Sequence, residues 1–190
     1  MKNKKLIIFL IVFISVIILL SLLLFILSTI GFSKYNVSKE KETSQSYGGM
    51  QFIKEGEYWK FNKNGNNYLI KTDPSILEGI EIPAQLNAEG YYSNPLYFVG
   101  ELNDGSYAMS NFNKFTSRTQ EACLDGDTNG KCNFLPSKKC SDDNIMVFRE
   151  PQEDEKERVY LDEECIFIIA EKQNQELFLD YILLRILGIH

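Results

Sequence analysis

Residues 165–190 read CIFIIAEKQNQELFLDYILLRILGIH. Their order, a short continuous apolar run followed by a longer apolar segment with polar breaks, decides the fold class. Residues 165–170 are apolar without alternation, as a strand covered on both faces requires. From about 173 to 187 the pattern fits a helix. Ten of the 13 residues from Leu177 to Ile189 are apolar, and only Asp180, Arg185 and Gly188 are not. A helix this apolar needs cover on most of its circumference. Packing against a sheet would supply it; a partner-binding or membrane-facing surface is the alternative.

Moving outward, residues 145–149 and 158–161 read as strands flanking an acidic turn over 150–157. Residues 105–122 fit a helix, because Ala108, Phe112, Phe115, Thr119 and Ala122 recur every three to four positions. A cysteine-rich loop of roughly 20 residues follows, longer than most structureless connections. Residues 96–100 form a short apolar strand. Residues 73–95 carry Pro74, Gly79, Pro83 and Pro95 and read as loop. Residues 52–61 and 68–72 are aromatic and β-branched and are separated by Asn62-Lys63-Asn64-Gly65-Asn66, a hairpin signal. These elements make residues 51–190 one α/β or α+β domain, a small mixed sheet with two packed helices. Residues 31–50 are polar, with few large apolar side chains, and read as a flexible tether.

Residues 6–30 differ from everything that follows. They carry no charge and are almost wholly Leu, Ile, Val and Phe, broken only by Ser15, Ser21, Ser28 and Thr29. At ~1.5 Å per residue the run reaches about 37 Å, enough for a hydrocarbon core of ~30 Å. A cleaved signal peptide has a shorter apolar core of about 7–15 residues. A buried core helix would show a polar face. The reading is therefore a transmembrane anchor over 6–30, with residues 1–5 in the cytoplasm. A hydroxyl in such a helix bonds back to its own backbone. Lys2, Lys4 and Lys5 on one side nearly balance Lys34, Lys39 and Lys41 on the other. The four cysteines, all in the C-terminal half, place that half outside, where disulfides persist. The expectation is a single-pass cell-membrane protein, N-terminus in and C-terminal domain out.

The acidic residues all lie beyond the apolar run. Setting aside the three N-terminal lysines leaves 17 basic against 26 acidic residues, a net of about −9. Such a surface repels nucleic acid, which needs clustered Lys and Arg. One histidine, His190, ends the chain, so no Ser-His-Asp or Cys-His arrangement sits on a rigid scaffold. No Gly-rich phosphate cradle is present. No catalytic residue and no resident cofactor is expected. The function expected is a non-enzymatic envelope module that binds a protein partner or associates with itself; a carboxylate- or metal-dependent hydrolase is the alternative.

Cys123, Cys132, Cys140 and Cys165 lack the close Cys-x-x-Cys pairs of zinc ribbons and redox motifs. Disulfides follow, and Cys123–Cys132 with Cys140–Cys165 is the pairing expected. The first pair flanks a short glycine-containing turn. The second precedes two strands whose starts meet if they are parallel neighbours. The competing connectivity is Cys123–Cys165 with Cys132–Cys140. Within the first loop, Asp125-Gly-Asp127-Thr-Asn129-Gly130 matches the first half of a calcium loop, with Asp125, Asp127 and Asn129 as oxygen ligands. The twelfth position, normally a bidentate Glu, is Pro136; an ordinary polar turn fits the same residues.

Residues 165–169 with Leu177, Asp180, Tyr181 and the closing Leu187-Gly188-Ile189, together with Cys123…Cys132…Leu135-Pro136…Cys140, carry a resemblance. They resemble a group of uncharacterised archaeal single-pass membrane-anchored proteins with a four-cysteine outer domain and a Leu-Gly-Ile C-terminal helix. The resemblance covers residues 120–190. It implies a lone anchor and an outer domain, and no activity.

Overall fold

The computed structural model describes residues 13–25 and, with interruptions at 78, 81–85, 87, 103–104 and 129, residues 43–190. The chain divides into two units, Met1–Glu42 and Thr43–His190. In the first, residues 13–25 form helix α1. Its apolar side chains are exposed along its length, from Ile14 at 48% to Leu19 at 70%. The Ser21 hydroxyl donates to the Ile18 carbonyl at 2.8 Å. Among the described residues no helix is long and apolar enough to cross a membrane. The remainder of the expected anchor, the N-terminal residues 1–5 and tether residues 31–42 lie outside the described residues.

The second unit opens with an antiparallel meander of four strands in sequence order: β1 (Ser44–Tyr47), β2 (Met50–Glu55), β3 (Tyr58–Lys63) and β4 (Asn66–Ile70). The β3–β4 hairpin turns through Asn64 and Gly65, at φ 54° and 80°. This is the two-residue turn that matches the twist of the flanking strands. Two expectations need correction. The tether does not extend to residue 50, because β1 pairs with β2, Tyr47 opposite Met50. Apart from Tyr47, β1 is polar, as a short edge strand tolerates, and hydropathy alone does not mark it. Residues 52–61 are two strands rather than one, folded back at Gly56-Glu57.

A second, five-stranded sheet uses β5 (Pro95–Val99), β6 (Arg118–Glu121), β9 (Asn144–Arg149), β10 (Arg158–Asp162) and β11 (Cys165–Ile169) in the order β10-β11-β9-β5-β6. The run β11-β9-β5-β6 is parallel, and β10 closes one edge antiparallel to β11. Strands β9 and β10, which flank the acidic turn, are therefore separated by β11. Two short strands, β7 (Cys123–Leu124) and β8 (Ser137–Lys138), pair in parallel within the cysteine-rich loop. Helices α2 (Gly105–Phe112) and α3 (Lys172–Ile186) complete a mixed α+β fold.

The expected 105–122 helix stops at Phe112. The Thr116 backbone N–H and hydroxyl both donate to the Phe112 carbonyl, at 3.0 and 2.9 Å, closing the last turn. Residues 118–121 then pair with β5. Ala108, Phe112, Phe115 and Ala122 are nonetheless buried. A spacing of three to four held across the helix and its exit turn, then coincided with a residue beyond the strand.

Alternation splits the core. Leu96 and Phe98, Met146 and Phe148, and Ile166 and Ile168 join α2, α3 and the four-stranded sheet in one cluster. Tyr97, Val99, Ile145, Val147 and Cys165 face the other way, with Ala122 among them and Leu124 and Cys140 packed against them. The cysteine-rich loop thus covers the sheet face that no helix covers. The apolar C-terminal helix is covered by its own domain: Leu179, Ile182, Leu183, Leu184 and Ile186 are at most 1% exposed.

Cysteines pair as Cys123–Cys132 and Cys140–Cys165, with Cα atoms 5.7 and 5.0 Å apart. The second bridge follows from register, since parallel pairing sets Cys165 opposite Ile145. Its loop closes 25 residues against nine for the other, and a longer loop constrains the unfolded chain more. Replacing Cys140 and Cys165 together by Ser is expected to lower stability by about 2–4 kcal/mol, more than the Cys123/Cys132 double replacement. Urea unfolding of both variants checks the order, and a reversed order would contradict it.

Candidate functional site

Parallel strands bring their carboxyl ends to one edge of a sheet, and ligands of open sheets bind in crevices there. Strands β5 and β6 end at Val99 and Glu121. The residues that follow them line an open cleft of about 370 Å³. Residues of the cysteine-rich loop, Asp127, Lys131, Cys132 and Leu135, line it too, as does Lys172 at the start of α3. Gly100 lets β5 leave the sheet close to β9: a Cβ there would lie 2.1 Å from the Phe148 carbonyl oxygen.

Glu101 joins the walls. It accepts from Lys131 Nζ at 2.8 Å and from Lys172 Nζ at 3.0 Å. These bonds, Lys131 first, hold its carboxyl down at about 2. All three side chains are about half exposed or more, so solvent and salt screen the ties. Beside them, the Cys123–Cys132 bridge lies on the cleft wall. A carboxylate oxygen of Asp127 and the two sulfurs lie within 4.8 Å of one another.

Two members of the calcium trio, Asp125 and Asp127, lie among the described residues. Asp125 accepts from Ser137 Oγ at 3.2 Å and pairs with Lys139 Nζ at 3.4 Å, Asp127 stands with the sulfurs, and Asn129 lies outside the described residues. Among the described residues, Cys123, Asp127 and Cys132 are the group of three candidate ligand side chains. The sequence reading missed Glu101, Lys131 and Lys172 as side chains of this cleft. They stand 30 and 71 residues apart, and no spacing rule links them.

A second polar cluster is sealed inside. Asp180 is 1% exposed. Its Oδ2 accepts the Lys71 and Thr72 backbone N–H groups at 3.0 and 2.9 Å, and its Oδ1 accepts the Tyr107 hydroxyl at 3.2 Å. One carboxyl thus ties α3 to the chain just past β4 and to α2. Burial pushes it up to about 6 against these bonds.

Comparison with protein families, curated proteins and solved structures gives no match for this chain. Its chemistry has to be read from the geometry. A general acid at neutral pH needs a carboxyl poised near 7. Glu101 is held far below that. Among the described residues the carboxyl pushed upward is Asp180, and it does not line the cleft.

Proposed function

We propose that this chain is a single-pass membrane protein, N-terminus inside, whose outer domain is a non-enzymatic module that binds a protein partner through the disulfide-braced loop beside the cleft. The observation that carries the reading is Phe134. It is 90% exposed and sits between Cys132 and Leu135, both of which line the cleft. An aromatic side chain offers a partner a large anchoring surface. A loop already restrained by a bridge loses less freedom when it binds.

The anchor is supported by the uncharged run over 6–30 and by α1, whose apolar side chains are exposed on every side. A helix apolar all round needs lipid or a protein core around it. The net acidity disfavours nucleic acid as the partner. The hydrolase alternative rests on the acidity and the aspartate loop.

A membrane-impermeant crosslinker applied to intact cells tests both parts of this reading. The wild-type protein is expected to form one discrete crosslinked species, and Phe134→Asp, with the disulfides intact, to lose it. Absence of any labelling from outside would overturn the topology. An unchanged species in Phe134→Asp would overturn the docking surface.

A further inference from the structure

The two disulfides differ in what surrounds them. Cys165 is fully buried in the core cluster on the loop-covered face of the sheet, and the half-buried Cys140 packs against that cluster. Cys132 is half-buried among exposed neighbours, Lys131, Asn133 and Phe134, and with Cys123 it lines the open cleft. A thiolate in the cleft reaches the first bridge at Cys132, whereas in the second Cys165 is sealed in the core and attack is left to the half-buried Cys140. Asp127 adds a carboxylate within 4.8 Å of both cleft sulfurs.

We propose that Cys123–Cys132 is a reducible bridge and that, once reduced, Cys123, Cys132 and Asp127 form a binding site for a soft divalent cation of the Zn²⁺ or Cd²⁺ class. The reductant is a dithiol. One of its thiolates attacks Cys132 Sγ, breaking the Cys123–Cys132 bond and releasing the Cys123 thiolate. Its second thiolate attacks the mixed disulfide, releasing Cys132 and leaving the reductant as its own disulfide. Two electrons pass to the protein, and the two thiols shed two protons when the metal binds.

Geometry and ligand chemistry agree. Two thiolates on tetrahedral Zn²⁺, each at ~2.3 Å, stand about 3.8 Å apart. Side chains whose Cα atoms are 5.7 Å apart reach that separation by rotation about their own bonds. Thiolates select soft cations, and a carboxylate completes three protein ligands, leaving a fourth position open towards the cleft for water. The site is distinct from the calcium reading of the same loop, which needs only hard oxygens and no reduction. It also does not depend on the partner-binding reading, because neither Phe134 nor a partner enters it.

The test uses the full chain in lipid nanodiscs, treated with increasing dithiothreitol. Alkylation and peptide mapping report which thiols open, and one equivalent of Cd²⁺ is then added. The expected result is that Cys123 and Cys132 alkylate while Cys140–Cys165 stays closed. The reduced protein should then bind one Cd²⁺ with a thiolate-to-metal charge-transfer band in the ultraviolet. Asp127→Ala, which leaves both disulfides able to form, should weaken Cd²⁺ at least ~10-fold, since losing a ligand costs no less than losing a ligand's supporting partner. Opening of both bridges together, absence of the band, or unchanged affinity in Asp127→Ala would each overturn the proposal.

Discussion

Replacing Asp180 with Ala is expected to destabilise the outer domain by about 3–5 kcal/mol, the summed cost of leaving several buried donors without an acceptor. The Lys71 and Thr72 backbone N–H groups and the Tyr107 hydroxyl all lose their acceptor at once. Each donor left unpaired in a buried place costs its desolvation. Asp180→Asn should cost far less. Its amide oxygen still accepts the two backbone N–H groups, and its NH₂ can donate to Tyr107, whose hydroxyl reverses its role. Urea unfolding of the two variants separates network loss from charge loss: equal costs would mean that the charge, and not the hydrogen bonding, holds α3.

The same carboxyl makes stability depend on pH. Its folded value, about 6, lies above the usual 3.8. The folded domain therefore keeps a proton that the unfolded chain releases, and the associated stability is complete below about 4 and lost as pH rises through 6. From pH 7 to 4.5 the gain is about 2 kcal/mol. Glu101 and Glu155 act in the opposite sense at lower pH. Both are held down at about 2, Glu101 by Lys131 and Glu155 by Arg149. Their contribution is present above about 4.5 and lost as pH falls towards 2. Glu101 is exposed and Glu155 lies half-buried at the surface beside part-exposed Arg149 and exposed Arg158, so solvent screens both ties and the loss is shallow. Stability should thus peak between pH 4 and 5, and Asp180→Asn should flatten only the limb between 4.5 and 7.

Local chemistry was legible where one stretch of chain carries its own instruction. Residues 165–169 are apolar at every position because β11 is flanked by strands and covered on both faces. Asn64-Gly65 dictates its own turn. The parallel pairing of β9 with β11 could be inferred together with the Cys140–Cys165 bridge, since each makes the other possible. What could not be read depends on partners distant in sequence. Residues 118–121 carry no strand pattern of their own, and their conformation comes from pairing with β5. The cleft illustrates the same split. Cys123, Asp127 and Cys132 lie within ten residues, and the sequence marked the two cysteines as a disulfide and Asp127 as an oxygen ligand of a calcium loop. Glu101 and Lys172 meet only because β5 and the strand–helix unit β11–α3 end at the same edge. Asp180 stood out as a polar break in an apolar helix, but two of its partners are backbone groups 108 and 109 residues away and the third, the Tyr107 hydroxyl, is 73 away, and no spacing marks them in the sequence.

Gly100 shows how strongly such a hidden constraint can act. Substitution by Ala is expected to cost about 2–6 kcal/mol, for two reasons that add. At φ 100° a side chain is strained wherever it points, at about 1–3 kcal/mol. The new Cβ also meets the Phe148 carbonyl oxygen at 2.1 Å, an overlap that only a shift of β5 against β9 can relieve, at about 1–3 kcal/mol more. Gly49 supplies the control. Its φ of 74° is also positive, but nothing lies within 4 Å of a Cβ built there, so Gly49→Ala meets strain alone and should cost about 1–2 kcal/mol. The difference between the two variants, read from denaturant midpoints at equal m-value, isolates the close approach of the strands. If Gly100→Ala proves no worse than Gly49→Ala, β5 and β9 do not approach this closely at the cleft, and the floor on which Glu101 stands is looser than the structure has it.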